Sequence, residues 1–280
     1  MKRVAIQGVA GAFHDIAARG FFGTEEIDIV PCSTFKDIFA SIRKDNSILG
    51  IMAIENTIAG NLLPNHNLLR ESDTTIIGEY KLRISHVLAA LPGQTLADIT
   101  EVHSHPIALM QCEDFLKKYP DWKVVESEDT ALSAKHIQEN QIAGRAAICS
   151  QRAAEIYGLT ILEAGIETNK RNFTRFLIIA DRWAADQYVQ PSESHKSSIV
   201  FTTKHEEGSL SQVLSVLSFY HDNLTKIQSM PIIGHEWEYL FFIDLTYDDY
   251  MRYKQSLDAI RPLTRNLRIL GEYQIGQQQV

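Results

Sequence analysis

The sequence predicts an α/β region followed by a smaller α+β unit, and three observations carry that prediction. To about residue 180, short apolar runs of strand length alternate with segments of helical period, the pattern of a sheet covered by helices. From Asp181 to Lys196 the composition shifts to Trp, Ala, Gln, Pro, Ser and His without a period, which reads as a linker. Beyond it, the order strand–helix–strand–strand–helix–strand (βαββαβ) is that of a ferredoxin-like fold.

Taken in order, Val4 to Gln7 reads as a strand, Gly8 to Gly11 as a tight turn and Phe13 to Phe22 as a helix. Ile27 to Val30 is a second strand. Thr34 then supplies an N-cap for a helix that places Phe35, Ile38, Phe39 and Ile42 on one face. Leu49 to Ile54 is a strand of the buried type, and residues 75 to 91 carry the chain into a second lobe. There Glu101 to His103 forms a short strand. Pro106 suits the first turn of a helix running to about Lys118. Strands at Trp122 to Val125 and Ala146 to Cys149 alternate with helices starting near Thr130 and Gln151, and the strand Phe173 to Ala180 closes the unit. After the linker come a strand (Ser198 to Thr202), a helix (Leu210 to Tyr220) and two strands (Leu224 to Ser229, Tyr239 to Thr246). A second helix (Tyr250 to Ile260) and a last strand (Arg268 to Tyr273) complete the chain. A small sheet with helices on one face often completes itself against another copy, so a homodimer or homotetramer is expected.

Bulk properties narrow the function. With 280 residues, 45% of them apolar, the chain can fill real cores. No apolar run approaches the roughly 18 residues of a membrane span, and no signal peptide opens the sequence, so a cytoplasmic protein with no membrane partner is expected. The three cysteines, Cys32, Cys112 and Cys149, form no CxxC pair and read as reduced, buried thiols. With 27 basic and 35 acidic residues the net charge is 27 − 35 = −8, which argues against nucleic acid as a partner. An anionic ligand would have to be held by local arginines and helix N-termini.

Four polar clusters sit at strand ends, where α/β sheets present ligands. Gly8-Val9-Ala10-Gly11 precedes a helix and lets backbone N–H groups approach an anion, although a structural turn explains the glycines as well. Glu55-Asn56-Thr57 follows a buried strand; its amide and hydroxyl serve either a ligand carboxylate or the cap of the next helix. Ser104-His105-Pro106 and Ser127-Glu128-Asp129-Thr130 form two strand-to-helix turns with the same pair of readings, and His103 and His105 face opposite ways, which disfavours a metal site. Asn172-Phe173-Thr174-Arg175-Phe176 enters the closing strand. An arginine there needs a partner, either a carboxylate of the protein or one on a ligand.

These clusters carry a resemblance. Gly8-x-x-Gly11-x-Phe13, Ile54-Glu55-Asn56-Thr57, Ser104-His105-Pro106-x-Ala108-Leu109-x-Gln111-Cys112 and Asn172-Phe173-Thr174-Arg175-Phe176 stand in the order and at the separations of prephenate dehydratases. Glu207-Gly208-Ser209-Leu210 and Asn223-Leu224-Thr225-Lys226-Ile227 resemble the first turn and following strand of an ACT domain. The resemblance implies a two-lobed catalytic domain similar to periplasmic binding proteins, at 1–182, with lobes of about 1–80 plus 163–182 and 81–162. A linker at 183–196 and an ACT regulatory domain at 197–280 would follow; because the first strand begins at about residue 3, a fused chorismate mutase is not expected. It implies conversion of prephenate to phenylpyruvate with loss of carbon dioxide and water, without metal or organic cofactor.

Carried onto this sequence, the resemblance makes Thr174 and Arg175 catalytic, Thr174 as a positioned donor and Arg175 as the carboxylate partner. Asn56, Thr57, Ser104, Thr130 and Phe176 then become substrate-binding, and Glu55 is a candidate proton donor if burial raises its pKa. Gly208, Ser209, Leu210, Asn223, Leu224, Gln228 and Ser229 become the site for L-phenylalanine as feedback effector. The chain departs from the family pattern at Ala12, His14 and Ala53, and at Gln228-Ser229-Met230-Pro231, where Glu-Ser-Arg-Pro is usual. Arogenate as substrate, or a sensor that binds without turnover, are the competing expectations.

Overall fold

A computed structural model of the chain describes residues 1–232, 234, 237–276 and 278. It shows two α/β lobes and a ferredoxin-like domain packed on the first lobe. Strands β1 (Lys2–Gln7), β2 (Ile27–Cys32) and β3 (Leu49–Asn56) alternate with helices α1 (Phe13–Phe22) and α2 (Phe35–Lys44). A two-residue β4 (Gly60–Asn61), helix α3 (Leu63–Glu71) and the long β5 (Thr74–Arg83) follow. The second lobe holds β6 (Val87–Ala90), β7 (Glu101–Ser104), α4 (Pro106–Gln111), α5 (Glu113–Leu116), β8 (Lys123–Glu126), α6 (Thr130–Asn140), β9 (Arg145–Cys149), α7 (Gln151–Ile156) and β10 (Thr160–Ala164). Strand β11 (Phe173–Asp181) returns to the first lobe.

The first sheet has the order β2-β1-β3-β11-β5, with β4 beside β3; the second has the order β10-β6-β9-β7-β8. The chain crosses between lobes at residues 84–86 and 165–172, so the first lobe reaches three residues beyond the expected residue 80. The expected helix to Lys118 breaks at Cys112 into α4 and α5. Trp122 lies outside β8 and stacks on Tyr119, with centroids 3.9 Å apart. All three cysteines are buried and unpaired.

The C-terminal domain comprises β12 (Lys196–Thr202), α8 (Ser209–Phe219), β13 (Asn223–Pro231), β14 (Tyr239–Thr246), α9 (Tyr250–Ile260) and β15 (Arg265–Tyr273). Its antiparallel sheet runs β13-β14-β12-β15, the ferredoxin-like order expected. One face carries α8 and α9 over a core of Phe201, Val213, Leu217 and Tyr253. The other face brings Val200, Met230, Phe242 and Leu270 into a single core with Ile54, Ile76 and Ile179 of the first lobe. The open face of the small sheet is thus covered by the first lobe.

Candidate active site

Strand alternation decides what β11 offers to each side. Successive side chains point to opposite faces, so Thr174 and Phe176 turn one way and Arg175 the other. Thr174 and Phe176 line a cleft of about 290 Å³ between the lobes, together with Asn56, His105, Asp129 and Thr130. Thr174 and Asn56 also border a second pocket of about 470 Å³, which Glu55, Lys81 and Arg175 line as well.

Asn56 is the partner of Thr174 in the β3–β11 pairing and is fully committed. Its Oδ1 accepts from the N–H groups of Ile58 and Ala59 at 2.9 and 2.8 Å, and its Nδ2 donates to Asn172 Oδ1 at 2.8 Å and to Thr174 Oγ1 at 2.9 Å. Because the threonine oxygen accepts from Asn56, its own proton remains to be donated into the cleft.

Arg175 corrects the sequence-based expectation. Its side chain is only 7% exposed and is held by protein groups: Nε donates to Glu79 at 2.6 Å, Nη1 to Asp244 at 2.5 Å and Glu55 at 3.2 Å, and Nη2 to the Tyr273 hydroxyl at 3.0 Å. Lys196 donates to both oxygens of Glu79, at 2.9 and 2.8 Å, and Lys226 to Glu55 at 2.7 Å. Three cations face three carboxylates, 3 − 3 = 0, so the cluster is charge-balanced at the seam between the first lobe and the C-terminal domain. Burial pushes the Glu79, Asp244 and Glu55 carboxyls up, but the neighbouring cations outweigh it and all three end below their ordinary values. Glu55 is therefore an ionised partner of Arg175 and Lys226, not a proton donor.

Two further expectations change. Ser104 is fully buried and its hydroxyl donates to Ile148 O at 2.6 Å, so it ties β7 to β9. Thr57 donates to Arg171 O at 3.1 Å and accepts from Phe173 N at 2.9 Å; it clamps the entry to β11 instead of facing the cleft. Thr130 does line the cleft, as the first residue of α6 behind the Asp129 cap.

The structure adds residues to which no site role was given. His14 is buried, its Nε2 accepts from Ala53 N at 3.3 Å, and its ring stands edge-on to Phe176 at 5.0 Å. Burial lowers its pKa to about 3, so it is a neutral wall of the site. His86 bonds Gln111 Oε1 through Nε2 at 3.0 Å, and burial lowers its pKa as well. The periodicity signal could not find them, because a histidine in an apolar helix or crossing segment looks like any surface polar residue. The Gly8–Gly11 turn touches the second lobe: Ser150 Oγ donates to Gly11 O at 2.6 Å and the Tyr157 hydroxyl to Ala10 O at 2.9 Å. Among the described residues, no group of three or more His, Cys, Asp or Glu side chains could hold a metal ion. No helix among them is long and apolar enough to cross a membrane.

The expected effector residues separate. β12 and β13 each pair antiparallel with β14 and so run in the same direction. The start of α8, with Gly208, Ser209 and Leu210, therefore shares one end of the domain with Gln228 and Ser229, while Asn223 and Leu224 lie at the opposite end. Gln228 Oε1 accepts from Asn61 of the first lobe at 2.6 Å.

Fold and site together define a two-lobed α/β protein with an interlobe cleft for a small molecule and an attached ferredoxin-like domain. The family model described as prephenate dehydratase matches residues 4–183. The bifunctional chorismate mutase/prephenate dehydratase of Aquifex aeolicus is 36% identical over 274 residues, covering 97% of this chain and 73% of that protein. Arogenate dehydratase 5 of Arabidopsis thaliana is 35% identical, with 97% and 67% covered. Among solved structures, GqqA, described as a novel type of quorum quenching acylase, aligns with a TM-score of 0.86 at 29% identity over 98% of both chains. The prephenate dehydratase of Arthrobacter aurescens in complex with L-Phe aligns at 0.85 and 24% identity, over 99% of this chain and 92% of that one, and supports the fold. The chain belongs to the prephenate dehydratase family.

Proposed function

We propose that the chain is a lyase that converts prephenate to phenylpyruvate with loss of carbon dioxide and water. The observation that carries this reading is the Thr174 hydroxyl, fixed as an acceptor by Asn56 and left with a proton to donate into the interlobe cleft. Aromatisation drives the reaction, so the site needs to hold the ring, help the hydroxyl leave and keep the departing carboxylate poorly solvated. Phe176, His14 and Phe13 form an apolar wall for the ring. The first turn of α1 has no side-chain cap, because Ala12 stands at its N-cap, and its amides suit a substrate carboxylate.

Arogenate is the second reading. It is supported by the 35% identical plant relative and by a cleft lined with one carboxyl and no lysine or arginine among the described residues. An acylase reading would ask for a base bonded to the nucleophile; here Thr174 Oγ1 takes its hydrogen bond from an amide instead.

The C-terminal domain serves in this reading as an ACT module that senses L-phenylalanine, with Gly208, Ser209, Leu210, Gln228 and Ser229 at the effector end and the Arg175 cluster as its connection to the site. The test is incubation of purified protein with prephenate and with arogenate, reading phenylpyruvate by its absorbance in alkali and phenylalanine by chromatography. Addition of L-phenylalanine should then depress the rate. A protein that binds prephenate without forming phenylpyruvate would be a sensor.

A further inference from the structure

Departure of a ring hydroxyl as water needs a proton, and the groups already described do not supply one. The Thr174 hydroxyl is far too weak an acid, Glu55 is tied to two cations outside the cleft, His14 and His86 are held neutral by burial, and His105 spends Nδ1 as the acceptor of the Ile107 N–H that caps α4. Asp129 remains, the one carboxyl among the described residues that line the cleft. We propose that Asp129 is the general acid that protonates the departing hydroxyl, an inference that rests on the dehydratase reading above.

Its position is built in. Asp129 caps α6 through Oδ1, which accepts from Leu132 N at 2.8 Å. Its Oδ2 reaches across to the first lobe, where a Cβ on Gly8 would come within 2.9 Å of it; Gly8 adopts φ +101 and leaves that space open. The carboxyl thus stands on the second lobe, across the cleft from Thr174 on the first. Burial pushes its pKa up, and the amides of Leu132, Ala131 and Thr130 and the ring of His105 only partly offset this. Cys149 and Tyr157 are its other titratable neighbours, and the Tyr157 hydroxyl is spent on Ala10 O. No lysine or arginine lines the cleft among the described residues, and a bound dianion favours the protonated acid further.

In the step, the Asp129 proton passes to the ring hydroxyl oxygen while the C–O bond breaks and its electron pair leaves on the water formed. The bond from the opposite ring carbon to its carboxylate breaks, its electron pair completes the aromatic ring, and carbon dioxide departs. Asp129, left as carboxylate, regains its proton from solvent.

The test uses Asp129→Asn, and Asp129→Ser as a second variant, since both keep a helix cap and neither holds an acidic proton. Turnover of prephenate is measured from about pH 6 to about pH 9, in light and heavy water. Wild type should lose kcat as pH rises and show a solvent isotope effect. The variants should lose kcat about 10² to 10⁴-fold with KM unchanged, and lose the alkaline decline. Variants that keep wild-type kcat and its alkaline decline overturn the proposal. So does a loss confined to KM, which would make Asp129 a binding group such as an ammonium partner. Wild type that forms no phenylpyruvate overturns the dehydratase reading itself.

Discussion

Thr174 works through what surrounds it. Asn56 Nδ2 reaches Thr174, Asn172 and Phe173 at once, while Asn56 Oδ1 closes the turn after β3, so one side chain sets both the turn and the Thr174 hydroxyl proposed to act in catalysis. Asn56→Ala should lower kcat about 10²-fold through the freed hydroxyl. It should also cost about 1–3 kcal/mol for the buried groups left unpaired, readable by urea denaturation. Arg175 has a different kind of importance. Arg175→Ala leaves three carboxylates short of a cation in a largely buried seam and should destabilise by about 3–5 kcal/mol. Arg175→Lys should lower the urea midpoint while leaving KM unchanged, because the guanidinium does not line the interlobe cleft and is held by protein carboxylates. The need for a partner was legible from Arg175 in its apolar strand; the partner was not, since Glu79 lies 96 residues away in sequence and Asp244 lies 69.

At the scale of elements, β3 and β11 form a wall with two working faces. Asn56 and Thr174 face the cleft, and Glu55 and Arg175, their neighbours in sequence and partners in register, face the C-terminal domain. The sequence made both strands readable, since β3 is almost continuously apolar, but an apolar run in a fully buried strand does not say which face meets which neighbour. The same ambiguity affects the turns. Ser104 and Thr57 stand where a polar residue can either finish a hydrogen-bond ladder or meet a ligand, and here the ladder takes them. The Gly8–Gly11 turn is one contact of the first lobe with the second: Gly11 adopts φ +87, and a Cβ there would lie 2.7 Å from the Ala153 Cα atom. Gly11→Ala should cost about 1–2 kcal/mol in backbone strain alone and push the lobes apart. A raised KM and a lowered thermal midpoint, measured together, would check this.

At the scale of the molecule, the ferredoxin-like domain and the first lobe share one apolar core and one balanced charge cluster. The order of its strands was legible from periodicity and turns, whereas its docking was not, because packing between distant segments leaves no local pattern. The cluster makes stability depend on pH with a definite sign. Glu79, Asp244 and Glu55 bind protons less tightly folded than unfolded, so protons favour the unfolded chain. Stability should hold above their ordinary values of 4.5, 3.8 and 4.5 and fall as pH drops below them. Urea midpoints that stay constant from about pH 7 to about pH 3 would contradict it.

In the proposed reaction the cleft face of β11 performs the dehydration through the Thr174 hydroxyl. Steady-state phenylpyruvate formation by wild type and Thr174→Ala, compared at equal folded concentration, tests it most directly. A turnover loss of about 10² to 10³-fold with KM little changed is expected, the effect of removing one preorganised donor to developing charge. An alanine variant with full turnover would contradict it.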